Sequence, residues 1–295
     1  MTGRRLERDE RARDRSHGAH RVRKRFGQHF LEPAWVDKVI KTIAPKPDEL
    51  FLEIGPGGGA LTRPLTTSAR HIVAFEIDRD LASALRETAP PNLTIETGDF
   101  LDITIDRLGV LLAPWGATAC RVRVAGNLPY NAASPILFKL TELHAAGLAI
   151  ADATVMLQRE VADRLTASSG TRDYGVLAIL IGHRALAQRV LELPPGAFRP
   201  PPKVRSALIR LRFHTPEPPA RDELLFAQMV QAVFTRRRKT LANALRAFHV
   251  PRGPSPVEAL AAAHIDAIRR PETLSIDEMV RLADVFVSKS RSAVL

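Results

Sequence analysis

The chain has 295 residues, with 43 Lys and Arg against 32 Asp and Glu, a formal net charge of +11. At roughly 150 residues per domain, that length suggests one large domain or one with a smaller companion, and a core that needs no disulfide or metal staple. The single cysteine, Cys120, excludes a disulfide framework and a cysteine-rich metal site. No apolar run approaches the ~18 residues of a membrane span, and the N-terminus lacks the apolar core of a signal peptide, so a cytoplasmic monomer is the expectation.

The charge is uneven. Residues 1–25 hold ten Arg and Lys against four Asp and Glu, more than half of the excess. Positions 1–20 contain almost nothing apolar and read as a disordered basic leader. The denser cluster Arg21, Arg23, Lys24 and Arg25 abuts the folded part and is the better phosphate binder. A polyanionic partner, nucleic acid first, follows from this balance.

From 21 to 213, short apolar runs alternate with amphipathic stretches. A helix is predicted over 33–44, a strand over 50–54 (LFLEI), a strand over 71–77, a helix over 78–88, and strands over 93–96, 121–125 and 153–158. That alternation predicts an α/β fold, a mostly parallel Rossmann-like sheet covered on both faces. Strands over 187–193 and 204–213 have no crossover helix between them and are expected to pair antiparallel at the sheet edge. The proline-rich 214–221 reads as a stiff linker. Beyond it, helical spacing of Phe226, Val230 and Val233, then of Leu241, Leu245 and Phe248, with further helices over 255–264 and 275–288, predicts a small all-α domain over 222–295.

Strand 50–54 runs into Gly55-Pro56-Gly57-Gly58-Gly59-Ala60. Glycines there let a ligand approach the backbone. The spacing G-x-G-x-x-A, with Glu76 ending the next strand 21 residues after Gly55, also satisfies the nicotinamide-dinucleotide fingerprint, so an oxidoreductase stays open at this point. Asp99, after the third strand, can accept from an adenine amine, and Glu53 stands close to the loop. Gly55, Glu76 and Asp99 at successive strand ends suit S-adenosylmethionine, which has a ribose, an adenine and a sulfonium but no pyrophosphate.

After the fourth strand stands Asn127-Leu128-Pro129-Tyr130. An adenine amine is a poor nucleophile because its lone pair is delocalised into the ring. The Asn127 side-chain oxygen and the Leu128 carbonyl can hold its two hydrogens and favour the tetrahedral nitrogen of the transition state. Pro129 stiffens the turn and Tyr130 can stack on an extruded base. The nine histidines show no metal-ligand spacing, so no metal is expected. Trp35 and Trp115 read as packing residues, and 168–171 (SSGT) as a mobile loop.

These motifs stand in a familiar order: KRFGQHFL at 24–31, LEIGPGGGALT, FEID, GDFLD, GNLPYN, MLQREV, Tyr174-Gly175, Phe198-x-Pro-Pro-Pro-Lys203-Val204 and FTRRRKTL. The chain resembles the ribosomal RNA adenine N6-dimethyltransferases, KsgA type, from about Arg21 to the end. The resemblance implies S-adenosylmethionine as cofactor, with contacts at His29, Leu31, Gly55, Glu76, Asp99 and Asn127. It implies small-subunit ribosomal RNA as substrate during ribosome biogenesis, and Phe198 stacking on the base opposite Tyr130. Arg236, Arg237, Arg238 and Lys239 read as one helical run that spreads them around its axis, so that some are solvated and others can meet phosphates. One departure is His29, where the family has Asn; its charge near pH 6.5 would make cofactor affinity pH-dependent. The erythromycin-resistance enzymes, acting on large-subunit RNA, are the near alternative. An assembly factor without catalysis is a third, disfavoured by the intact Asn-Leu-Pro-Tyr.

Overall fold

The computed structural model describes residues 30–116 and 121–291. The leader 1–20, Arg21, Arg23, Lys24, Arg25, His29 and Cys120 lie outside the described residues.

Strands β1 (Phe30–Leu31), β2 (Leu50–Ile54), β3 (His71–Glu76), β4 (Leu93–Thr97), β5 (Val122–Asn127), β6 (Ile150–Gln158), β7 (Ala185–Leu193), β8 (Phe198–Arg199) and β9 (Ser206–Phe213) form two sheets. The main sheet has the order β4-β3-β2-β5-β6-β9-β7. β2 is buried at every position and pairs in parallel with β3 and β5, as its unbroken apolar run requires. The antiparallel pair expected at the edge forms, with β9 inserted between β6 and β7. The second sheet is the two-residue pair β1 and β8, tied by Glu32 N–H donating to the Ala197 carbonyl at 2.9 Å and by the Glu32–Arg199 ion pair.

Helices α1 (Pro33–Ile43), α2 (Thr62–Thr66), α3 (Arg79–Glu87), α4 (Ile105–Leu112), α5 (Ala133–Ala145), α6 (Arg159–Leu165) and α7 (Val176–Gly182) cover the main sheet. Pro33 starts α1 where its missing N–H costs nothing, and Asp78 caps α3 by accepting from Asp80 and Leu81 N–H. One core lies between the sheet and α4 and α5, and another between the sheet and α1 and α2. At the end of the sheet away from the glycine turn, the buried Arg123 donates to Asp152 at 2.8 Å, to Glu49 at 2.8 Å and to the Ile43 carbonyl at 2.8 Å. That cation is neutralised within the fold and adds nothing to the surface charge.

The remaining helices are α8 (Glu223–Phe234), α9 (Leu241–Ala244), α10 (Pro256–Ala262) and α11 (Ile276–Arg291). Asp222 caps α8, and Ser255 with Glu258 forms a capping box on α10. Their core around Phe226, Met229 and Leu282 also takes in Tyr174, Ala178 and Ile179, so α7 packs on the helical region as well as on the sheet. The segment 168–171, expected to be a mobile loop, is exposed and touches the helical region. Gly170 N–H donates to the Glu272 carbonyl at 2.6 Å, and Arg237 reaches the Thr171 carbonyl at 3.2 Å. Trp115 stacks on His71 with centroids 3.6 Å apart, and Trp35 packs beneath Lys38, so both tryptophans are packing residues.

Candidate active site

The carboxyl ends of β2, β3, β4 and β5 open into a cleft of about 400 Å³, in the size range of small-molecule sites and at the place where open parallel sheets bind ligands. Gly55, Glu76, Asp99, Asn127, Leu128, Pro129, Tyr130 and Leu31 all line it. Residues spread over a hundred positions of sequence thus meet around one volume.

The glycine turn is shaped by backbone demands. Gly55 has φ +70°, which L side chains rarely adopt, and a Cβ there would lie 3.6 Å from the Asn127 carbonyl. Glu76, at the end of β3, accepts from Gly57 N–H at 2.9 Å through one oxygen and from Asp78 N–H at 2.9 Å through the other. Burial raises its pKa while those two bonds oppose the rise. Its carboxylate oxygens keep further lone pairs for a ligand diol. Asp99 accepts from Leu101 N–H at 2.9 Å, which holds its carboxylate at the end of β4.

Glu53 is a residue whose role spacing alone left undefined. It sits in β2, 1 % exposed, and its Oε2 has no hydrogen-bond partner among the described residues. Burial pushes its carboxyl up to about 8, with Thr62 opposing and the Glu76 charge adding. A buried acid on the floor of the cleft is suited to a cationic ligand. Phe30, Ile77 and Phe100 also line the cleft and were not singled out from sequence. An apolar residue at a strand end carries no signal of its own; tertiary placement makes it a wall.

The Asn127–Tyr130 turn is held at both ends. Leu128 N–H donates to the Met156 carbonyl at 3.3 Å, and Ala132 N–H donates to the Pro129 carbonyl at 3.0 Å. Leu128 is buried with the core, and Asn127, Leu128, Pro129 and Tyr130 all border the cleft. Gly126, just before it, lies so close to β2 that a Cβ would stand 2.5 Å from the Ile54 carbonyl. Gly126→Ala is therefore expected to push β5 away from β2 and to cost about 1–3 kcal/mol, read as a lower melting temperature and a weaker cofactor affinity.

Phe198 is placed differently from the expectation. Its ring is 2 % exposed, packed with Leu31, Leu61 and Met156 across the β1–β8 pair, and does not line the cleft. An apolar ring gains more from that enclosure than from water. The basic run also departs from a single helix. α8 ends at Phe234, and 235–239 is a turn with Arg236, Arg238 and Lys239 exposed. Arg237 is half-buried and bonds to Glu272 at 3.4 Å and to the Thr171 carbonyl, so it serves the fold. Among the described residues no group of three His, Cys, Asp or Glu is gathered as a metal site, and no helix is long and apolar enough to cross a membrane.

A parallel sheet closed by an antiparallel strand inserted next to its edge, with a glycine turn and acidic strand ends around one cleft, defines a Rossmann-like methyltransferase. A family model described as ribosomal RNA adenine dimethylase matches residues 19–286. The ribosomal RNA small subunit methyltransferase A of Alcanivorax borkumensis is 43% identical over 269 residues, 90% of each chain. That of Thiobacillus denitrificans is 44% identical over 260 residues, 87% of this chain and 94% of the relative. Among solved structures, a dimethyladenosine transferase from Plasmodium falciparum shares the fold with a TM-score of 0.69 at 23% identity, covering 89% of this chain and 98% of that one. The 23S rRNA methyltransferase ErmE superposes with a TM-score of 0.61 at 26% identity, covering 88% and 99%. The chain belongs to the ribosomal RNA adenine dimethylases, and it is an enzyme.

Proposed function

We propose that this chain transfers methyl groups from S-adenosylmethionine to the N6 of adenines in small-subunit ribosomal RNA, two to each target base. The observation that carries this reading is the Asn127–Tyr130 turn, backbone-locked at the mouth of the cleft that holds Gly55, Glu76 and Asp99. Relatives named for the small subunit match this chain at 43–44% identity, against 26% for the large-subunit enzyme ErmE, which favours the small subunit.

The residues fit the cofactor. Glu76 suits a ribose diol, Asp99 an adenine amine, the Gly55–Gly57 turn a close backbone approach, and the buried Glu53 a cationic amino-acid portion. When bound, S-adenosylmethionine supplies an electrophilic methyl group. The Asn127 side-chain oxygen and the Leu128 carbonyl accept the two N6 hydrogens and aim the nitrogen lone pair along the line of attack. Tyr130 supports the extruded ring on one face; the proton leaves to water. Because Phe198 is enclosed, the clamp on this side rests on Tyr130.

Methylation is checked by incubating the enzyme with isolated small- and large-subunit RNA and mapping N6-methyladenines by primer extension and mass spectrometry. Dimethyladenine confined to the small-subunit RNA is the expected result; modification of large-subunit RNA alone would overturn the substrate reading. Exposed Arg238 and Lys239 are expected to contact phosphates. Replacing both by Gln should weaken binding across RNA sequences and lower the salt slope by roughly one for each phosphate no longer neutralised, measured by filter binding over a salt titration. Arg237→Gln should instead loosen the 168–171 segment and lower thermal stability with little change in that slope.

A further inference from the structure

Ser206 lies at the same end of the sheet as the cleft, although the glycine turn and the acidic strand ends do not involve it. It is the first residue of β9, 2 % exposed, and its position is fixed on both sides, opposite Gln158 of β6 and opposite Leu193 of β7. Arg159 N–H donates to the Arg205 carbonyl at 2.9 Å, which closes β9 against β6 immediately beside it. The Ser206 hydroxyl faces the Tyr130 hydroxyl at 3.3 Å, across the end of β6. Tyr130 belongs to a turn, not to the sheet, and its ring is half-buried. Burial raises the phenol's pKa, and the Ser206 hydrogen bond opposes that rise.

We infer that Ser206 is a positioning residue for the methyl transfer: a buried hydroxyl, immobilised by two strand neighbours, that tethers the Tyr130 ring in the plane needed to support the target adenine. This rests on the reading of Tyr130 as the stacking residue. A shift of the Tyr130 ring away from its orientation against Ser206 lowers the fraction of bound adenines whose N6 faces the Asn127 acceptors. The hydrogen bond to Ser206 holds the far end of the ring against the sheet. The rigid sheet supplies the anchor, as a loop partner would not. The tether links β9, which no glycine or acidic motif marks, to the chemistry at the end of β5.

The test is a double-mutant cycle in kcat on small-subunit RNA, with cofactor affinity by calorimetry and thermal melting on every variant. Ser206→Ala and Tyr130→Phe should each lower kcat about tenfold, the size of one missing hydrogen bond, with cofactor affinity unchanged. The double variant should be no slower than Tyr130→Phe alone, because that substitution already removes the hydrogen bond to Ser206. Wild-type kcat in Ser206→Ala, or single effects that multiply in the double variant, would overturn the tether. Tyr130→Ala separates the two ideas. If it keeps wild-type methyl transfer, the stacking reading itself fails; if it is inactive while Tyr130→Phe and Ser206→Ala are unimpaired, stacking stands and the tether fails.

Discussion

Asn127→Ala should lower methyl transfer by about 10²–10³-fold, the cost of removing one preorganised polar partner of a transition state. Asn127 ends β5, paired with Met156 of β6, and its carbonyl would lie 3.6 Å from a Cβ at Gly55. The substitution removes the side-chain amide and keeps the strand. The loss should therefore fall on kcat, with RNA affinity and melting temperature near wild type, because the phosphate contacts proposed above are made by other residues. Single-turnover assays on small-subunit RNA with saturating cofactor measure the chemical step directly. Asn127→Asp should be slowed less than Asn127→Ala: its carboxylate still accepts from the amine, on which positive charge grows as the methyl group leaves sulfur. Undiminished transfer by folded Asn127→Ala would remove the acceptor role.

Glu53→Gln should change how stability depends on pH. Burial raises the carboxyl from 4.5 to about 8, so the folded protein keeps a proton that the unfolded chain has released between those values. Its stabilising contribution is complete below about pH 4.5 and is lost as pH rises toward 8. His71, depressed from 6.5 to about 4 by burial, has the opposite sign: its contribution is lost as pH falls below 6.5. The two slopes offset each other between about 4.5 and 6.5, and the falling limb emerges between about pH 6.5 and 8. It amounts to about 2 kcal/mol, or about 5 °C in melting temperature. The Gln variant should lose this limb and melt above wild type at pH 8; an unchanged slope would show that Glu53 is ionised throughout. With S-adenosylmethionine the sign reverses, because a cation draws the ionised form. Affinity should rise with pH in the wild type, with proton release visible by calorimetry in buffers of different ionisation enthalpy, and both effects should vanish in Glu53→Gln.

Much of the fold is legible from periodicity. The unbroken run LFLEI is a central strand because only a strand flanked on both sides and covered on both faces buries five successive side chains. The helix expected over 78–88 begins where Asp78 caps it. β1 and β8 were not readable, since two residues have no period and their pairing joins positions far apart in the chain. The insertion of β9 between β6 and β7 is a register choice made by the whole sheet. The break in composition at 214–221 locates a change from strands to helices, yet the helical core reaches back to Tyr174 and α7, because apolar surface is buried wherever the fold brings it together.

The site divides along the same line. Residue type and spacing by themselves determined the glycine turn, Glu76, Asp99 and the Asn-Leu-Pro-Tyr turn, since backbone conformation, charge and hydrogen-bonding capacity are local properties of the chain. Tertiary structure alone decided which groups are withdrawn from water. It enclosed Phe198, assigned Arg237 to Glu272 and Thr171, left Arg236, Arg238 and Lys239 exposed, buried Glu53 against the cleft, and set Ser206 behind Tyr130. Burial and long-range packing depend on every element at once, and they decide whether a ring stacks or packs and whether a charge meets a ligand or the protein itself.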